Sequence, residues 1–227
     1  MNISRRSLAL GVFALATATG SAPALASDAS EAAELVRKAQ ATIAGFGANK
    51  EFPTFSPALA KAKAVLIFPQ ILKAGFILGG SGGNGVLLVR DAKSGRWVGP
   101  AFYTMGSASL GFQAGASAAE VVMIINSQKS LDALYSSKVK LGGDASAAIG
   151  PKGVGTGTAF DSDFIVYSTV KGAFAGLAVD GSVLDVRQSL NNGYYGTKAT
   201  PVEILVKHQH KKPEAAGLQA AVKKAAS

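Results

Sequence analysis

There is no cysteine among the 227 residues. That excludes disulfides, thiolate metal sites, thiol nucleophiles and an acyl anchor on a terminal cysteine. Charge is also sparse: 16% of residues are Asp, Glu, Lys or Arg, against 48% hydrophobic. A chain this apolar can bury a sizeable core, and disorder is expected only at its ends. The two histidines, His208 and His210, have no third ligand spaced nearby, so a solvated tail is favoured over a metal site there. After the first 26 residues no run of eighteen apolar residues occurs, so no later segment is expected to span a membrane as a helix. The net charge of +9 comes mostly from Arg5, Arg6 and five lysines between residues 207 and 227, set against Glu214. The rest is near neutral, which argues against a nucleic-acid groove.

What is abundant is glycine, with 27 residues. It is densest in residues 73–90, where two apolar runs, 76–78 and 86–89, flank a five-glycine stretch around Ser81 and Asn84. Short apolar runs bounded by glycine read as strands, and glycine permits positive φ and close backbone approach. A buried hairpin with a glycine loop passing near other backbone is expected. Gly80, Gly82 and Gly85 fit G-x-G-x-x-G, but a dinucleotide loop needs a following helix and a strand pattern follows here. Gly79, Ser81 and Gly83 fit G-x-S-x-G, again without the strand-turn-helix of a nucleophile elbow. No G-K-[ST] is present, so the loop is not a P-loop.

The first 26 residues read as a secretory signal: Arg5 and Arg6, an apolar stretch over 8–18, and Ala24-Leu25-Ala26 as a small-x-small cleavage site. Ser4-Arg5-Arg6-Ser7-Leu8 also resembles a twin-arginine signal, with ordinary Sec export as the alternative. An exported, periplasmic or envelope protein is expected, cut after Ala26.

Residues 28–46 carry Ala32, Leu35, Val36, Ala39, Ile43 and Phe46 at helical spacing. Asp28 with Glu31 suits the helix start, and Gly45 and Gly47 its end. Residues 64–68 read as a strand ended by Pro69, and 97–103 as a strand in which Pro100 favours an edge or bulge. Trp97 suits either a lipid interface or a half-buried sheet position. Residues 120–126 read as a buried strand, and Ser127 as the cap of a helix carrying Leu131, Leu134 and Tyr135. Val139, Leu141, Ala145, Ala147 and Ile149 keep one parity and suggest a strand with one buried face. Residues 154–160 and 164–170 suggest a hairpin across Asp161-Ser162-Asp163, and 173–186 a further strand region. Thr200-Pro201-Val202-Glu203 is a capping box, and Pro213 separates its helix from a loosely held second one. No acid-base constellation is legible, so no enzyme, metal or cofactor is expected.

An ordered series of motifs runs through the chain: Lys73-Ala74-Gly75-Phe76, residues 85–90, Trp97-x-x-Pro100-Ala101, Leu141-Gly142-Gly143, Gly150-Pro151-x-Gly153, and residues 171–176 with Gly181-Ser182. The series resembles the SYLF domain family, which includes lipid-binding proteins and yeast actin-patch SH3 proteins, over about Leu35 to Val206. The resemblance implies binding of anionic or phosphorylated lipid headgroups. Eukaryotic relatives favour phosphoinositides, whereas the bacterial-style signal points to anionic phospholipids. The resemblance also implies membrane contact by the N-terminal helix, while the residues alone allow a helix that simply covers the sheet. Lys73, at a basic position of the family motif, either meets a lipid phosphate beside an anion nest of the glycine loop or snorkels at a strand end. Residues expected to meet lipid are Leu35, Arg37, Lys38 and Ile43 on the helix, Lys73, Gly82 and Gly83 at the glycine loop, and Lys211 and Lys212 in the tail.

The expectation is therefore a single glycine-rich α+β domain over residues 27–206, with a bent antiparallel sheet or partial barrel and flanking helices. A signal peptide over 1–26 precedes it and a basic tail over 207–227 follows. Its expected partner is an anionic phospholipid surface, not nucleic acid. The alternative is an envelope structural or protein-interaction module that binds no lipid.

Overall fold

The computed structural model describes residues 22–75, 78–110, 115–136, 138–150, 161–172 and 181–227. The fold is α+β, a curled eight-stranded half-barrel with helices against it. In chain order come α1 (Ala22–Ala48), α2 (Phe55–Lys61), β1 (Ala64–Gly75), β2 (Leu78–Arg90), β3 (Trp97–Leu110), β4 (Gly115–Ile125) and α3 (Gln128–Ser136). Then follow β5 (Val139–Lys140), β6 (Ala147–Ile149), β7 (Phe164–Gly172), β8 (Val183–Val186), α4 (Gln188–Tyr195), a π-helical turn (Val202–Val206) and α5 (Ala216–Ala225). The strand order is β5-β8-β3-β2-β1-β4-β7-β6. All described pairings between strands are antiparallel except β6 with β7, so the sheet is mixed at that edge.

Alternation along the strands makes two cores, because successive side chains point to opposite faces. Val65, Ile67, Val86, Leu88, Phe102, Val122, Ile124 and Ile165 meet α1, α2, α4 and α5 on one face. Leu66, Phe68, Leu87, Tyr103, Met123 and Phe164 meet α3 and the π-helical turn on the other. Ala32, Val36, Ala39, Ile43 and Phe46 of α1 are all 3% exposed or less, and their spacing lays one helical stripe on the sheet. The helix begins six residues before Asp28, through an alanine-rich stretch that favours helix. Asp28 is therefore not its cap. It packs against Gly193 of α4, where a Cβ would stand 2.7 Å from the Asp28 Cβ.

The glycine stretch is not a loop. β2 runs unbroken through it, pairing with β1 on one side and β3 on the other. Neither Gly82 nor Gly83 has a positive φ. The close approach is real and has a definite cause. Pro69 does not end β1; the strand bulges there, with register shifts between Phe68 and Ile71 against β4 and between Ile67 and Leu72 against β2. The bulge carries the Gln70 carbonyl over β2, so a Cβ on Gly83 would stand 2.1 Å from it and 2.9 Å from Ile71 Cδ1. A Cβ on Gly85 would meet the Phe68 ring at 2.5 Å. Only glycine fits under this bulge.

Two further expectations change. The strand drawn over residues 139–149 is broken by a turn at 142–144, with Gly142 at φ 78° and Asp144 accepting from the Lys140 N–H, which leaves Ile149 69% exposed. The tail is no loose appendage either. Leu218 and Val222 are fully buried and Ala225 is 7% exposed, four and three residues apart on the face of α5 that meets α1. Gln219 Nε2 donates to the Gly99 carbonyl at 2.8 Å. The fold thus continues past residue 206 because that apolar stripe needs cover. The expected strand over 154–160 lies outside the described residues, as does the part of the 173–186 region before residue 181.

The outer edge of β3 beside Gly99–Phe102 is closed by side chains. Asn191, fully buried, accepts from the Phe102 N–H at 2.9 Å and donates to the Phe102 carbonyl at 3.2 Å. Tyr195 donates to the Pro100 carbonyl at 2.7 Å. These bonds anchor α4 to β3, satisfying backbone groups that a neighbouring strand would otherwise pair.

Overpacking a well-packed site costs about 1–3 kcal/mol. Gly83→Ala is expected to destabilise by that order. Gly82→Ala, whose Cβ would come no nearer than 3.2 Å to its closest neighbour, the Met105 carbonyl, should cost clearly less. Urea melts of the two variants check the difference; equal midpoints would discard the bulge-on-glycine packing.

Candidate functional site

The β2–β3 turn is shaped by Asp91. Its Oδ1 accepts from the Ser94 N–H at 2.7 Å and the Ser94 hydroxyl at 2.6 Å. Gly95, at φ 67°, lets the chain reverse, and the Asp91 N–H closes onto the Arg96 carbonyl at 2.8 Å. The Ser94 bonds, chiefly from its side chain, hold the Asp91 carboxyl below the usual carboxylate range, with His208 a smaller contributor. Lys93 and Arg96 stand exposed on this turn. At its base the Arg90 guanidinium lies 5.1 Å from the centre of the Trp97 ring and donates to the Ala60 carbonyl at 2.7 Å. Trp97 is 6% exposed, so it is a core residue and not a lipid-interface one.

The opposite wall is the C-terminal segment. The capping box forms as expected: Glu203 accepts from the Thr200 N–H at 2.9 Å and its hydroxyl at 2.8 Å, and Thr200 Oγ1 accepts from the Glu203 N–H at 3.3 Å. The helix it opens is a single π turn, with Lys207 N–H bonded to the Val202 carbonyl at 2.9 Å. His208, at φ 55°, ends that turn. Its Nε2 lies 3.1 Å from the Leu205 carbonyl and 3.8 Å from Asp91 Oδ2. His210 packs on Tyr195 with ring centres 5.6 Å apart.

Between the walls opens a cleft of about 1290 Å³. Arg90, Lys93, Arg96, Lys211, Lys212 and Lys223 line it, and Asp91 is the sole acidic side chain among its lining residues. Sequence reasoning reached Lys211 and Lys212 as site residues but missed Arg90, Lys93, Arg96 and Lys223. The Asp91-Ala-Lys-Ser-Gly-Arg96 turn was legible as a turn; its two cations gave no sign of facing a distant segment.

The remaining expected site residues fall elsewhere. Leu35, Lys38, Gly82 and Gly83 gather around a smaller groove of about 220 Å³ between α1 and the bulge, together with Glu31 and Glu34. Lys38 is paired with Glu34 at 2.7 Å, and Glu31 accepts from Asn84 Nδ2 at 2.9 Å. This groove is not an anion site. Arg37 is exposed on α1. Lys73 sits half-buried in mid-sheet, opposite Ser81 and Ser117. The anion nest is corrected as well, since extended β2 directs its N–H groups alternately to its two neighbours rather than to one point. Ile43 is fully buried, so in this fold it is a core residue and does not face a bilayer. Among the described residues no three His, Cys, Asp or Glu are grouped as metal ligands, and no helix is long and apolar enough to cross a membrane.

Fold and cleft together define an α+β half-barrel with a basic cleft at one end. Residues 106–225 match the family described as Ysc84: Las17-binding protein actin regulator. Protein YSC84 of Saccharomyces cerevisiae is 32% identical over 188 residues, covering 80% of this chain and 39% of that protein. LAS seventeen-binding protein 3 of the same species is 34% identical over 167 residues, covering 70% and 36%. Human SH3 domain-containing YSC84-like protein 1 is 30% identical over 186 residues, covering 80% and 53%. The chain belongs to the Ysc84/SYLF family. It spans only about a third to a half of the length of these curated relatives. No solved structure matches it.

Proposed function

We propose that this is an exported binding protein, not an enzyme, which docks peripherally on anionic phospholipid surfaces through the cleft between the β2–β3 turn and the C-terminal segment. One observation carries this reading: six basic side chains against one acidic side chain around a single opening. Each Lys or Arg near an anionic surface contributes about 1 kcal/mol, fading over a Debye length of about 8 Å. The cleft therefore supplies several kcal/mol of salt-sensitive attraction.

Helix insertion is the weaker route. Moving Ile43 and Phe46 from the core into lipid exchanges one apolar surrounding for another, so the burial gain cancels. The vacated core would cost about 2–5 kcal/mol per large side chain. A second reading keeps the same cleft but gives it an acidic protein surface. The family description and the name of one relative, which speak of Las17 binding, favour a protein partner.

Flotation with phosphatidylglycerol vesicles tests the proposal. The folded protein is expected to float at low ionic strength and to be released by high salt. Lys93→Glu with Arg96→Glu should weaken binding at least tenfold, as should Lys211→Glu with Lys212→Glu, while Arg37→Glu leaves it nearly unchanged. If folded wild type stays at the bottom even at low salt, membrane docking is wrong and the interaction module replaces it.

Export rests on the basic, apolar and small-x-small order of residues 1–26. Their removal would leave every buried position of α1 from Ala32 to Phe46 in place. N-terminal sequencing of the periplasmic protein should read from Ser27; a chain recovered intact from the cytoplasm would contradict export.

A further inference from the structure

Both histidines of the chain line the basic cleft. This is not a consequence of their closeness in sequence alone, because the positive φ of His208 turns the chain between them. His208 faces Asp91 across the cleft, with Nε2 3.8 Å from Oδ2, and its other neighbour is the Leu205 carbonyl. His210 rests on the Tyr195 ring from α4. The charged group facing it is Glu203, whose carboxyl is held low chiefly by the backbone and side chain of Thr200 and to a smaller extent by His210 and Lys207. The remaining charged side chains that line the opening are the lysines and arginines already described.

We infer that His208 and His210 are ligand-binding residues of this cleft and that binding of an anionic surface there is coupled to proton uptake by the two imidazoles. The inference rests on the docking reading above and adds a control to it. Imidazole is the side chain that ordinarily gains its charge between pH 8 and pH 5. In the cleft, Asp91 Oδ2 lies 3.8 Å from His208 Nε2, and the other charged side chains lining the opening are basic. An array of lipid phosphates docked there neutralises those cations and adds negative charge beside both imidazoles. The charged imidazoles then become favourable contacts. By linkage, whatever favours protonation on binding also makes binding tighter as pH falls. The sign is fixed: affinity rises from pH 7.5 to pH 5.5 and falls on the way back.

Phosphatidylglycerol is the appropriate probe, since its phosphodiester keeps its charge across this range. Two added charges at the contribution ordinary for a basic residue near an anionic surface correspond to roughly tenfold tighter partition at pH 5.5 than at pH 7.5. The variant His208→Asn with His210→Gln should float to the same extent at both values; asparagine tolerates the positive φ at position 208. His210→Lys, which carries a permanent charge, should bind more tightly than wild type at pH 7.5. Wild-type flotation that is equal at both pH values overturns the proton coupling while leaving membrane docking intact. A pH response that survives in the double variant also overturns it. Absence of flotation at either pH defeats the docking reading itself, and the inference with it.

Discussion

The contact of the Gln70 carbonyl with the Cα of Gly83 is the constraint on which the rest of this fold depends. The bulge at Pro69 and Gln70 bends the central strand of the sheet, and a bend there needs a partner strand with no side chain beneath it. Gly83 and Gly85 supply that strand, and the same bend lets the sheet curl into a half-barrel. Curling gives the sheet two apolar faces of different shape, one taking α1 with α4 and α5, the other taking α3 and the π-helical turn. The C-terminal segment is thereby brought against the β2–β3 turn. The basic cleft is a consequence of where the sheet places its ends.

This arrangement separates two roles that the amphipathic pattern of α1 had merged. An amphipathic helix can cover a sheet or enter a bilayer, and its sequence is the same for both. In this chain the apolar stripe is spent on the sheet, and Lys38 is spent on Glu34. Positive charge without a matching acid collects at the cleft instead. Peripheral docking through charge needs no unfolding of the core, which a protein with one continuous helical layer could not easily tolerate.

Much of the fold was legible in the sequence because it is local. The α1 stripe, the Thr200–Glu203 capping box and the buried strand over 120–126 all follow from short-range periodicity or side-chain chemistry. The glycine stretch was misread as a loop because glycine is ordinarily depleted in strands; its place in β2 follows from a bulge in another strand. Pro69 looked like a strand end for the same reason, since a proline in a bulge and a proline at a terminus look alike locally. Of the candidate site, Lys211 and Lys212 were legible as a cluster of charge. Lys93 and Arg96 were not, because nothing local reports that their turn faces residues far along the chain. Burial of Ile43 and Val222 was hidden likewise, since apolar stripes announce that they need cover without naming what covers them.

The central claim is that the cleft, and not α1, is the face that meets an anionic surface. Backbone hydrogen exchange of the protein, with and without phosphatidylglycerol vesicles, tests it most directly. The account predicts added protection in the β2–β3 turn, residues 91–96, and in residues 207–213, with α1 protection over residues 32–46 unchanged. Vesicle-induced change centred on α1, with residues 91–96 and 207–213 unaffected, would contradict it.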